Sequence, residues 1–123
     1  MKFKLVSTYS YSWPATARIP SETQPGKIEE QKFILRFEVE DRNTAIASAE
    51  AIAALPEKEQ IAREHDLLRR VIKGWDDVED DGKPVTFSPQ MLEAALLFPW
   101  FRAAAYRAYA NSLNGEEEAR LGN

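Results

Sequence analysis

The spacing of apolar residues changes along this chain. Over roughly the first third they tend to recur every second position, and after that at helical spacing. Phe3, Leu5 and Ser7 alternate with Lys2, Lys4 and Val6, which suits a first strand. A second extended segment starts at Trp13-Pro14 and runs from Ala15 to Ile19, since a residue before proline is pushed toward extended geometry. Pro20 and SETQPGK form a polar loop with a Pro25-Gly26 turn signal. In KFILRFEVE, Phe33, Leu35, Phe37 and Val39 share one face, and Lys32, Arg36, Glu38 and Glu40 mostly take the other. This is the clearest strand pattern, with Ile34 out of step.

Beyond Glu40 the pattern turns helical. Asp41 or Asn43 can cap a helix from Thr44 to Ala54, with Ile46, Ala49, Ile52 and Ala53 on one face. Pro56 ends that helix and opens the next, in which Ile61, Leu68 and Ile72 fall at helical spacing and Leu67 and Val71 widen the stripe. Gly74 is expected to stop it, just after the cations Arg69, Arg70 and Lys73. Ser88-Pro89 reads as N-cap and first helical position of a short helix that Pro99 breaks. A last helix runs to about Leu113, closed by Asn114-Gly115. The expected fold is α+β: a small N-terminal antiparallel sheet of about three strands covered by about four helices. A short β-hairpin is placed between the second and third helices.

The chain has 123 residues, which fits one domain. Its parts are β-rich 1–40, mainly helical 41–115 and a polar tail 116–123. The absence of cysteine excludes disulfides and thiolate metal sites. A net charge of −4 without a basic stripe argues against nucleic acid. No apolar run approaches the ~18 residues that span a bilayer, so no membrane partner is expected. The N-terminus lacks the apolar core of a signal peptide, which suits a soluble intracellular protein.

Candidate chemistry concentrates in VIKGWDDVEDDGKPVTFS, residues 71–88. As a calcium loop with Gly82 at the sharp turn, Asp77, Glu79 and Asp81 would take the first ligand positions. The closing bidentate glutamate would then fall on Ser88, so the strongest ligand is missing. A hairpin fits better. Asp81-Gly82 tolerates positive φ, and Trp75 and Val78 face Val85 and Phe87 across a short ribbon. Trp75 then caps a small core. The single histidine, His65, lies on the apolar stripe and reads as a partly buried helix–helix contact. No nucleophile elbow, phosphate loop or zinc histidine pair is present, so neither a catalytic residue nor a cofactor is assigned. The aromatics are read differently. Trp13, Trp100, Phe101, Tyr106 and Tyr109 belong to a surplus that so short a chain is not expected to bury completely. They are the candidate protein contacts, together with the alanine-rich last helix, which another helix could approach closely.

The back half, GWDDVEDDGKPVTFSPQMLEAALLFPWFRAAAYRAYANSL, resembles the tail assembly chaperones of long-tailed bacteriophages. The resemblance rests on Gly74, Trp75 and Val78, then Asp80, Gly82 and Pro84, then Phe87 and Ser88, and finally Ala108-Tyr109. Trp13-Pro14, Arg18-Ile19-Pro20 and the Phe33–Val39 segment are similar to the front half of such proteins. FPWF departs from the pattern, being more aromatic. The resemblance implies a non-enzymatic chaperone that binds the tape measure protein in the host cytoplasm and is absent from the mature virion. It also implies a homo-oligomer, and a frameshifted longer form that engages the tail tube protein. Leu121-Gly122-Asn123 is compatible with a slippery heptamer G GGA AAC in the gene. The alternative is a structural tail completion protein retained in the virion. A metal-dependent or small-molecule enzyme is the third option, disfavoured by the missing catalytic constellation.

Overall fold

The computed structural model describes residues 1–115. The polar tail 116–123 and the Leu121-Gly122-Asn123 end lie outside the described residues. The long strands are β1 (Ser10–Pro20) and β2 (Ile28–Glu38), which pair antiparallel from Ser10↔Glu38 to Pro20↔Ile28. Successive side chains of a strand point to opposite faces. The register therefore puts Tyr11, Trp13 and Ala15 beside Phe37, Leu35 and Phe33 on one face. That face is the core side, and Leu35 and Phe37 are fully buried.

The third strand is not the expected one. Phe3 and Leu5 are 91% and 89% exposed, and residues 1–9 form no strand. Their alternation is real but has no ladder to join. The free edge of β2 is taken by β3 (Ile72–Asp76), giving the order β1-β2-β3. Helical spacing hides β3, because Ile72 also continues the stripe of Leu68. The backbone turns extended at Ile72, with φ −86° and ψ 118°. Gly74 thus ends no helix; it lies within β3, opposite Arg36. Between Arg36↔Gly74 and Phe37↔Ile72 the register slips, leaving Lys73 as the extra residue of a bulge. The bulge brings Ile72 and Trp75, three positions apart, to the same core face.

The helix expected from Pro56 to Lys73 is also divided. It forms α2 (Glu57–Ala62) and α3 (Asp66–Val71), with His65 between them in the left-handed region at φ 67°. This change of direction aims Leu68 and Val71 into the core and leaves Ile61 at 60% exposure. Upstream, α1 (Arg42–Ala53) is capped by the Asp41 carboxylate, which accepts from the Thr44 amide at 2.8 Å. None of its residues is buried.

The helices α4 (Pro89–Leu96) and α5 (Pro99–Leu113) complete the cover. Ser88 caps α4 and Pro89 sits in its first turn, as the Ser-Pro pair predicts. The alanine-rich face of α5 is not open to a partner helix. Ala104, Ala105 and Ala108 are buried within the protein's own core, where their small size lets α5 lie close on β1. Phe101 stacks on Phe33 at 5.6 Å, and Tyr109 tilts against Phe37 at 5.2 Å. Tyr11 and Ser112 share a hydroxyl hydrogen bond of 2.7 Å near the other end of α5.

Polar links tie these layers together. Arg69 bridges α3 to α4 through Glu93 (2.6 Å) and also holds Asp66 (2.8 Å). Arg70 makes a two-pronged contact with the nearly buried Glu40 just after β2. The outer edge of β1 carries Pro14 and Pro20, tolerated because β1 is an edge strand, and Arg107 donates to the Thr16 carbonyl.

Candidate functional site

The segment 71–88 builds a small projection from the end of β3. Here β4 (Glu79–Asp80) pairs with β5 (Lys83–Pro84) across Asp81-Gly82. Both turn residues have positive φ, 52° and 78°, as a two-residue type I′ hairpin requires. Asp80 faces Lys83 and Glu79 faces Pro84, and the Val85 amide donates to the Val78 carbonyl at 2.9 Å. Trp75 fastens the ribbon to the core. Its indole N–H donates to the Val85 carbonyl at 2.8 Å. Its ring stands edge-on to Phe87 at 5.1 Å and to Phe101 at 6.2 Å. Gly74, Trp75, Val78, Asp80, Gly82, Pro84, Phe87 and Ser88 therefore belong to one continuous ribbon and the helix cap that follows it.

This ribbon forms one wall of an open cleft of about 820 Å³. The floor is the far end of the sheet, at Ala17, Ile19 and Phe33. The opposite wall is the α4–α5 junction, with Ala95, Phe98, Trp100 and Phe101. Pro99 holds this corner by ending one helix and starting the other, and Arg102 donates to the Leu96 carbonyl at 2.7 Å. Phe98 and Trp100 stack at 5.4 Å with 17° between their planes, and Phe98 is 49% exposed. The ribbon side is acidic: Asp77, Glu79 and Asp81 line the cleft, and Lys32 is the one cation among its lining residues. Among the described residues no group of three or more histidine, aspartate or glutamate side chains is placed to hold a metal ion.

The five aromatics expected at a contact surface separate. Trp100 lines the cleft, half-buried. Phe101 and Tyr109 are core residues, 9% and 7% exposed, held by Phe33 and Phe37. Tyr106 is half-buried, its hydroxyl hydrogen-bonded to His65 Nδ1 at 2.8 Å, and burial raises its pKa. Trp13 stands edge-on to Tyr11 within the sheet face, and its buried indole N–H meets no acceptor among the described residues. Sequence reasoning assigned no role to Phe98 or Lys32. The FPWF junction is the signal for the first, with Phe98 at the N-cap of α5 and Pro99 following it.

A second surface lies on α1. Ile46 is 40% exposed, Ala49 and Ala53 are exposed and Ile52 is half-buried. The Gln60 side chain donates to the carbonyls of Leu55 (2.7 Å) and Ala53 (3.3 Å), tying the end of α1 to α2. Comparison with protein-family models, curated proteins and solved structures finds no match.

Proposed function

We propose that the chain is a tail assembly chaperone of a long-tailed bacteriophage. It binds the tape measure protein, keeps it soluble while the tail is built, and is left out of the mature virion. The observation that carries this is α1, twelve residues long with no side chain buried in its own chain. A helix shorter than about 12–15 residues is marginal on its own in water. This one is capped and tied to α2, and its small-residue face admits the close approach of a second helix. A long apolar helical client is a fitting occupant. The resemblance in the ribbon residues supports the same assignment.

Co-expression with the tape measure protein is the direct test. The expected result is a soluble complex that is lost when Ile46 and Ala49 are both replaced by aspartate, while the free chain melts unchanged. A tape measure protein equally insoluble with and without the chain would overturn the proposal. Stoichiometric recovery of the chain from purified virions would instead support the structural tail protein.

A further inference from the structure

Residues 1–9 are all exposed, and positions 2–5 alternate cation and apolar side chain: Lys2, Phe3, Lys4, Leu5. The arm leaves the sheet where the Val39 amide donates to the Tyr9 carbonyl. The acidic, aromatic cleft lies toward the opposite end of β1, at Ala17 and Ile19. We propose that this cleft receives the N-terminal arm of a second copy of the chain.

Chemistry and reach both support this. An extended arm sets Lys2 and Lys4 on one side and Phe3 and Leu5 on the other. The cleft offers matching halves, Asp77, Glu79 and Asp81 on the ribbon and the Phe98–Trp100 stack on the helix corner. Lys32 partly offsets the acids, so a balance of two negative charges meets the two lysines.

The arm of the same chain does not fill the cleft. Its near lining residue, Phe33, pairs with Ala15, six strand residues or about 20 Å from Tyr9, and Ala17 lies about 27 Å away. Fully extended, Leu5 reaches about 14 Å and Phe3 about 21 Å from Tyr9, so Leu5 falls short and Phe3 meets only the near edge. The path back along the core face is also occupied by α5, which contacts β1 from Tyr11–Ser112 to Thr16–Arg107. The occupant is therefore supplied by another copy. This goes beyond the proposed client binding, which uses α1 instead.

Sedimentation of the full chain over a range of concentrations and salt is the first measurement. The expected result is association that weakens as salt rises. It should fall at least tenfold with Phe3→Ser plus Leu5→Ser, or with Glu79→Lys, all at exposed positions outside the core. The second measurement adds the peptide MKFKLVSTY to the full-length Phe3→Ser, Leu5→Ser chain. Amide shifts should map to Asp77–Gly82 and Phe98–Phe101. A chain that stays monomeric, association untouched by the arm substitutions, or shifts elsewhere would each overturn the proposal. So would cleft shifts produced by a tape measure helix and not by the arm peptide. Failure of the unsubstituted chain to capture the tape measure protein, with arm association intact, would count against the proposed function alone.

Discussion

Trp75 does two jobs with one side chain, closing the core beside Phe101 and holding the ribbon through Val85. It is half-buried, so Trp75→Ala should cost less than a fully buried tryptophan, about 2–3 kcal/mol. Chemical denaturation measures this, and Trp75→Phe should recover most of it, leaving about 1 kcal/mol for the lost hydrogen bond. Asp66 gives a pH prediction. Burial would raise its carboxyl pKa, but hydrogen bonds from Arg63 and Arg69 outweigh burial and hold it below the usual 3.8. The unfolded chain therefore takes up this proton at a higher pH than the folded one. The contribution is complete above the unfolded value and is lost as pH falls through the lower folded value. Asp66→Asn should flatten the decline of stability below about pH 4 in acid titrations followed by circular dichroism.

At the scale of elements, His65 decides where one helix becomes two. Its left-handed backbone is unfavourable for branched side chains, and its ring reaches Tyr106 on α5. His65→Val should destabilise by about 2 kcal/mol, from strain plus the lost bond, whereas His65→Asn should cost about half as much. Thermal melts compare the two. The same element shows what periodicity conveys and what it does not. The Phe33–Phe37 alternation, the Asp-Gly turn and the Ser-Pro cap each depend on neighbours in sequence, and each is legible there. β3 was not, because Ile72 satisfies a helical stripe and a strand equally, and its pairing depends on a bulge against distant Arg36 and Phe37. The Phe3–Leu5 alternation misled in the opposite sense, since β2 ends at Glu38 opposite Ser10 and offers residues 1–9 no continuing partner strand. The cleft was half legible. Its ribbon is written locally, whereas its floor and opposite wall come from residues brought together by the fold.

Across the whole molecule, stability is unevenly distributed. The sheet and α5 hold most of the buried residues, whereas α1 and α2 hold none. Amide hydrogen exchange should therefore be far faster in 42–62 than in β2 and α5. Equal protection in the free chain would show that α1 has support beyond its cap and the Gln60 link. Binding to a helical client should slow exchange in α1 first.

The prolines of β1 bear on what happens at high concentration. A row of free amides and carbonyls along an edge strand is a template for indefinite cross-β growth. Pro14 and Pro20 offer no amide, and Arg107 already occupies the Thr16 carbonyl. Pro14→Val should restore one amide donor to that edge, and thioflavin-positive fibres should form in concentrated samples that stay clear with proline. For the proposed role beside a long helical client, an edge that cannot seed amyloid keeps this chain from adding to the aggregation it would prevent.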